Sequence, residues 1–385
     1  MKEKLLFVCQ RYGLEVNGGA EAECRLYAER LAPDYDVEVL TTCAVDHVTW
    51  RNHYPAGVSE LNGVRVRRFP VERERGADFR MLSDLVQRSH SDADEQRWLE
   101  SQGPYCPALP DYLAANGKGC RAVFFMTYLY YPTVRGLQTD CGTKILIPTA
   151  HDEWSIYLRL FRDAFAAADK LLYNSEAERR LVERLFPHTR QTPCAVAGAG
   201  VELPQEPLPD VKARFGLEPP YLCYCGRIEP AKGCAEMLNF FRRYKRKYPG
   251  ALKLVLTGKA AMDIPKRRDI VPLGFVSEAE KLAVMQGARF LIQPSRLESL
   301  SIVTLESMLM GRPVLVNGKC EVLRDHCIAG NAGLYYSDYY EFEACVDYLL
   351  SHEREYQALC RNSRDYVARR YTWEQVMAQV RSLLF

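Results

Sequence analysis

Two glutamates, Glu298 and Glu306, stand eight residues apart in the string Gln293-Pro294-Ser295-Arg296-Leu297-Glu298-Ser299-Leu300-Ser301-Ile302-Val303-Thr304-Leu305-Glu306, which runs from an apolar strand into a helical pattern. Glu298 falls in the turn before the helix, and Glu306 falls inside it, flanked by Leu305 and Met308. An acid among such neighbours is costly to bury unless it holds a ligand or a partner. The amides of Leu300, Ser301 and Ile302 stand at the helix amino end, where N–H groups lack intrahelical acceptors and the dipole favours an anion. Taken alone, the pair is equally well explained by Glu298 complementing the dipole and Glu306 reaching solvent.

A second turn, Cys225-Gly226-Arg227-Ile228-Glu229-Pro230-Ala231-Lys232-Gly233, sets Arg227 and Lys232 beside another helix amino end, where the dipole repels cations. A diphosphate between them would reconcile the two, the guanidinium fork taking two oxygens and the ammonium acting as a mobile point charge. A solvated lysine and a surface ion pair also account for this turn read by itself. In the first half, Asn17-Gly18-Gly19-Ala20-Glu21 opens the first long helix, and glycine lets a backbone approach a ligand closely. It is not the spaced three-glycine fingerprint of a nicotinamide site, and a tight turn explains it equally well. His151, in Thr149-Ala150-His151-Asp152-Glu153-Trp154, falls at a strand's carboxyl end, although a lone histidine is ordinarily a satisfied polar residue near a core. Asn174-Ser175-Glu176 reads as a helix cap, which is sufficient explanation for it. Gly258, in Leu256-Thr257-Gly258-Lys259, and Val276, in Gly274-Phe275-Val276-Ser277, close short strands and read equally as ordinary turns.

The elements that must position these turns are short apolar runs alternating with longer amphipathic ones, the pattern of parallel strands joined by crossover helices. Strands are expected at 5–9, 37–42, 64–69, 122–126, 144–148, 170–173 and 194–196, with helices at 19–31 and 175–186. The prolines and acids of 202–211 interrupt both periodicities and read as a linker. Beyond it the expected order is strand 221–225, helix 232–248, strand 253–257, helix 278–286, strand 289–293, helix 302–310 and strand 313–316, then helices at 340–350, 353–369 and 373–384. Residues 75–119 read as a long polar insertion shaping the acceptor side. In an open parallel sheet a ligand binds where strand carboxyl ends meet helix amino ends, which is where the singled-out turns fall.

The whole chain bounds the answer. At 385 residues it suits two domains sharing a cleft, and 48% hydrophobic with 26% charged residues is the composition of a globular protein. A net charge of +2 argues against nucleic acid as a partner, which calls for a clustered basic face. The basic run at 242–247 ends a helix and reads as a solvated face. The fourteen cysteines, scattered from Cys9 to Cys360 without paired spacings, read as reduced core thiols, and a metal site stands far below that packing reading. The apolar run at 5–9 is too short for a signal segment, and no stretch approaches a membrane span. The expectation is a cytoplasmic protein, with peripheral contact at the inner face of the membrane left open and the arginine-bearing 157–165 as a faint candidate for it.

The string from Gln293 to Glu306 resembles the E-x7-E signature of retaining GT-B glycosyltransferases, especially family 4, and the Gly-Arg … Lys-Gly element at 226–233 matches a second element of that family. The family string carries glycines where this chain has Ser299 and Ser301. The resemblance covers most of the chain and is specific chiefly over 221–316. It implies an α/β GT-B fold, with two Rossmann-like parallel-sheet domains facing an interdomain cleft. These would be an acceptor-side domain at 1–203, a donor-binding domain at 204–371, and a closing helix at 372–385 that crosses back onto the first. It further implies that Glu298 holds hydroxyls of the donor sugar and Glu306 the ribose. Gly226, Arg227, Lys232 and the amides of Leu300, Ser301 and Ile302 would take the diphosphate, and Gly258 and Val276 would cradle the nucleoside. Gly18 and Gly19 would face the donor phosphate, and His151 the transferred sugar; the catalytic set is then Glu298, His151, Arg227 and Lys232. The implied reaction moves a hexose-type sugar from a nucleoside-diphosphate sugar to a glycan, lipid-linked or small-molecule acceptor with retention, without cofactor or bound metal, as in polysaccharide biosynthesis. A hydrolysing epimerase of the same architecture and a non-catalytic sugar-nucleotide-binding subunit are the alternatives.

Overall fold

The central strands of the first sheet follow from runs whose side chains are apolar on both faces. The strands of that sheet are β1 (Lys4–Val8), β2 (Asp36–Thr42), β3 (Gly57–Leu61), β4 (Val64–Phe69), β5 (Ala122–Met126), β6 (Thr143–Ile147), β7 (Lys170–Tyr173) and β8 (Cys194–Val196), in the order β3-β4-β2-β1-β5-β6-β7-β8. All neighbours pair in parallel except β3, which lies antiparallel on β4. Every residue of β5 is buried, as a parallel strand covered on both faces requires. The computed structural model describes every residue except Met1 and Asn17, so the first residue of the Asn17-Gly18-Gly19 turn lies outside the described part. The edge strand β3 was not expected from sequence, because four of its five residues are exposed and it has no apolar run to announce it.

The segment 75–119 corrects the expectation of a polar insertion. It forms helices Phe79–Val86, Asp92–Gln102 and Ala108–Asn116, and Leu82, Val86, Trp98, Leu99, Leu109 and Leu113 sit in the core with β1 and β5. The polar residues that dominate its composition cover the outer faces. Trp98 settles its indole N–H on Ser83 Oγ at 3.1 Å, as a buried tryptophan must.

The second sheet is wholly parallel: β9 (Tyr221–Cys225), β10 (Lys253–Thr257), β11 (Ile270–Gly274), β12 (Leu291–Gln293), β13 (Val314–Asn317) and β14 (Gly333–Tyr336), in the order β11-β10-β9-β12-β13-β14. Its core gathers Leu222, Leu254, Ile292 and Leu315 from the strands with Phe241, Phe342 and Val346 from the helices. The chain divides into two units, Met1–Gly198 with Met377–Phe385, and Ala199–Val376. Within the first unit the chain end is tied down, with Arg121 Nε donating to Leu384 O at 2.7 Å and Lys170 Nζ to Leu383 O at 2.8 Å. The stretch 202–210, read as part of the linker, carries neither helix nor strand, and the chain turns helical where it ends, at Val211–Phe215, capped by Asp210, which accepts from Lys212 N at 2.8 Å.

Both sheets have a switch point, where the connections leave in opposite directions. In the first it lies between β1 and β5, and in the second between β9 and β12. A crevice at the strands' carboxyl ends is a property of that topology. All fourteen cysteines are free thiols, eleven of them buried. Among the described residues no helix is long and apolar enough to cross a membrane, and no three His, Cys, Asp or Glu side chains gather as a metal would need.

Candidate functional site

In the second unit the site grows from two turns that flank the switch point. After β9 the chain passes through Gly226 and Arg227 to a 3-10 turn, Pro230–Lys232, and the helix Cys234–Lys247 starts only after Gly233. Sequence periodicity had carried that helix back to Lys232. Gly233 stands at φ 75°, and the break leaves Lys232 in the turn, outside the helix. After β12 the chain runs through Pro294 and Ser295 to Glu298, and the helix Ile302–Leu309 begins at Ser301.

The two turns meet as charges. Lys232 Nζ lies 2.8 Å from Glu298 Oε1, and Arg227 Nη2 lies 3.1 Å from Glu229 Oε1. Glu306 is buried one turn into its helix, and its Oε2 lies 2.7 Å from Lys281 Nζ, which also reaches Glu278 at 2.6 Å. Burial pushes the Glu306 carboxyl up, with Lys281 opposing; against its own burial, Glu306 and Glu278 hold the Lys281 ammonium above its ordinary range. Lys281 was missed from sequence. Its helix, Glu278–Gly287, has an ordinary charged amino end with a Ser277 capping box, and only the fold shows that this lysine faces a buried acid.

Ser301, where the family string has glycine, stands at φ 68°, a left-handed conformation that costs a non-glycine residue about 1 kcal/mol. Its hydroxyl compensates by accepting from Gln293 Nε2 at 3.1 Å and pairing with Thr304 Oγ1 at 2.9 Å. One residue back, Leu300 O accepts from His326 Nε2 at 2.8 Å. That bond makes Nε2 the protonated nitrogen, so His326 Nδ1 accepts from Tyr366 O–H at 3.0 Å, and burial pushes the imidazole pKa down, keeping the ring neutral. His326 was also invisible in sequence. Further along the sheet the turns stack: Gly226 N donates to Thr257 O at 3.0 Å and Gly258 N to Gly274 O at 2.7 Å. Gly258 is glycine for this packing, since a Cβ there would collide with Gly226 O. Val276 follows the edge strand β11 half-buried, beside the largely exposed Phe275.

In the first unit, Glu21 is buried and accepts from Gln10 Nε2 at 2.8 Å and Arg11 Nε at 2.9 Å. A Cβ on Gly18 would strike that carboxylate, whereas one on Gly19 would meet nothing within 4 Å. Gly18 therefore answers to Glu21, and the open space belongs to Gly19. His151 follows β6; its Nδ1 lies 3.2 Å from Glu153 Oε1, and Glu153 accepts from Tyr128 O–H at 2.9 Å. Against the cost of burial, His151 and Tyr128 hold the Glu153 carboxyl below its ordinary range. Beneath this turn lie two fully buried acids, with burial pushing Glu23 up to about 7 and Glu178 up to about 8. The arrangement thus offers one unit with paired charges that an anion and a polyol could exchange into, and another with a half-buried imidazole beside a carboxylate and, at Gly19, backbone with open space.

Comparison with known proteins places this architecture. Residues 219–352 match the family model described as glycosyl transferases group 1. A curated relative, trehalose synthase of Pyrococcus horikoshii, is 26% identical over 174 residues, 40% of this chain and 41% of that protein. The match therefore spans well under half of the relative's length. Among solved structures, sucrose-phosphate synthase from Thermosynechococcus elongatus superposes with a TM-score of 0.73 at 17% identity, covering 99% of this chain and 98% of that one. Anabaena HepE in complex with UDP and glucose gives 0.70 at 14% identity, with 99% of each chain covered. The α,α-trehalose 6-phosphate synthase from Burkholderia multivorans gives 0.72 at 11% identity, covering 100% and 96%. The chain has the GT-B fold, two parallel-sheet domains of α/β type, and its segment 219–352 carries the pattern of the group 1 glycosyl transferases.

Proposed function

We propose that this chain is a retaining glycosyltransferase of the family-4 kind. It moves a hexose-type sugar from a nucleoside-diphosphate sugar to a glycan, lipid-linked or small-molecule acceptor. The observation that carries the reading is the Lys232–Glu298 pair at the β9/β12 switch point, 2.8 Å apart and beside the helix amino end at Ser301. In this reading the donor exchanges into existing pairs. Its diphosphate takes Arg227, Lys232 and the amides of Leu300, Ser301 and Ile302, while its sugar hydroxyls take Glu298 as Lys232 turns to phosphate. Glu306, held by Lys281, accepts from the ribose, and Gly226, Gly258 and Val276 line the nucleoside. Charge that builds on the leaving diphosphate meets fixed cations and a helix amino end, the kind of interaction that lowers a barrier. Those groups do the work a divalent ion does elsewhere, so the reaction runs without a bound metal or cofactor. On the first unit, Gly18 makes way for the Glu21 carboxylate, Gly19 is the backbone proposed to face the donor phosphate, and His151, beside Glu153, is the side chain proposed for the transferred sugar. The reading puts the enzyme in the cytoplasm, acting in polysaccharide biosynthesis.

The test is a thermal-shift screen of nucleoside diphosphates and their sugars, since ligands of the native state raise apparent stability. Donor turnover follows, with and without acceptor glycans and chelator. A shift with UDP or GDP sugars, acceptor-dependent turnover, an unchanged rate in chelator and a product of retained anomeric configuration are expected. Turnover that ignores acceptor would favour the epimerase or hydrolase reading, and no shift with any nucleotide sugar would overturn the donor site.

A further inference from the structure

The turn Asn174-Ser175-Glu176 reads from sequence as a helix cap, and Ser175 does cap its helix, accepting from Glu178 N at 3.2 Å. Its neighbours do more. Glu178, in the first turn of the helix Glu176–Leu185, is 1% exposed, and both of its carboxylate oxygens accept main-chain amides. Oε1 takes Ala150 N at 2.5 Å and Oε2 takes Asn174 N at 2.5 Å. One side chain therefore bridges the carboxyl ends of β6 and β7, and on β6 it grips the residue immediately before His151. The backbone there needs holding. Thr149, a β-branched residue, stands at φ 50°, and Thr127, to whose hydroxyl Thr149 Oγ1 donates at 3.1 Å, stands at φ 65°.

The bridge continues. Asn174 Nδ2 donates at 3.1 Å to Glu23 Oε2, and Glu23, 2% exposed, lies one turn into the helix Gly19–Leu31 that opens at the Gly18-Gly19 turn. The two motifs of the first unit that sequence singled out, at Gly18-Gly19 and at His151, are thus tied to each other beneath the sheet's carboxyl ends. Glu23, Asn174 and Glu178 are the links. A buried pair of acids is an expensive way to hold a structure. Its geometry is rigid because the donors to the Glu178 carboxyl are main-chain amides, fixed by the strands they follow.

We infer that Glu178 is a positioning residue for the transfer proposed above, holding the His151 turn in its strained conformation and, through Asn174 and Glu23, in register with the Gly18-Gly19 turn. This rests on that proposal for its kinetic arm only.

The experiment compares the wild type with Glu178→Gln, which keeps the shape but offers one amide N an N–H group instead of an oxygen, and with Asn174→Ala, which cuts the link to Glu23 and spares the main-chain contacts. Hydrogen exchange of peptides covering 148–153 and 18–24, with no substrate present, should be at least tenfold faster at 148–153 in Glu178→Gln. In Asn174→Ala it should be faster at 18–24 alone. With UDP-glucose as donor, Glu178→Gln should lower kcat by about 10- to 100-fold, the scale of a misplacement near 1 Å, while the Kd for UDP stays within about twofold. Unchanged exchange at 148–153 in Glu178→Gln would overturn the inference. So would kcat and UDP affinity falling together, which marks general destabilisation. If Glu178→Gln does not fold, the exchange pattern of Asn174→Ala decides alone, and protection at 18–24 equal to the wild type overturns it. A wild type without transfer activity counts against the proposed function, and the exchange measurements still judge the link.

Discussion

Lys281 and Ser301 show how much of the proposed donor site depends on single contacts. Lys281 is the cation beside Glu306, and without it burial acts on that carboxyl unopposed. We predict that Lys281→Met weakens UDP binding by about tenfold near neutral pH, and that affinity returns as the pH rises and Glu306 ionises. Calorimetric titration across pH checks this; a uniform loss at every pH would mean that Lys281 contacts the nucleotide itself. Ser301 trades strain against two hydroxyl bonds. Ser301→Gly relieves the strain and loses the bonds, leaving stability within about 1 kcal/mol of the wild type. Ser301→Ala keeps the strain and loses the bonds, costing about 2 kcal/mol. Denaturant unfolding should therefore rank alanine below glycine by about 1 kcal/mol, and equal losses would show that the conformation carries no strain.

The elements explain what could be read in advance. Strands such as β5, β7, β9 and β10 fall where apolar runs placed them, because a parallel strand covered on both faces writes itself as an apolar run. Glu298 and Glu306 were legible for a related reason, being acids where a strand end meets a helix start. What stayed hidden lies across the fold. The partner of Asn174 is Glu23, on the helix that follows β1 far earlier in the chain, and Leu300 depends on His326, on a later helix. The segment 75–119 was misread because each of its helices spends few residues on the core, Leu82 and Val86 in one and Trp98 and Leu99 in the next, so composition reported only the outer faces. The buried acids give this scale its own prediction. Burial raises the Glu23 pKa from 4.5 to about 7, so the folded state holds the proton more tightly than the unfolded chain. The resulting stability is complete below 4.5 and is lost as the pH rises through about 7. The midpoint of thermal unfolding should fall by a few degrees between about pH 5.5 and about pH 8.5, and the curve of Glu23→Gln, which cannot ionise, should be flatter. Parallel curves for the two proteins would remove Glu23 as the cause.

At the scale of the molecule, each unit has a core of its own, and the groups proposed to bind the donor, Arg227, Lys232, Lys281, Glu298 and Glu306, all belong to Ala199–Val376. That unit expressed alone should unfold cooperatively and should bind UDP with at most about a tenfold loss relative to the full chain. A fragment that folds but binds no UDP would show that the first unit supplies part of the nucleotide site. The order of the units along the chain carries a consequence for modularity. Residues of the first unit lie on both sides of the second, and Leu383 and Leu384, held by Lys170 and Arg121, return the chain to the sheet that β1 began. In topological terms the second unit, the one proposed to bind the nucleotide, is an insert in a host. An insert with its own core can be exchanged as a cassette through the two joints at 198/199 and 376/377, the host keeping its acceptor preference while the cassette brings a new sugar nucleotide.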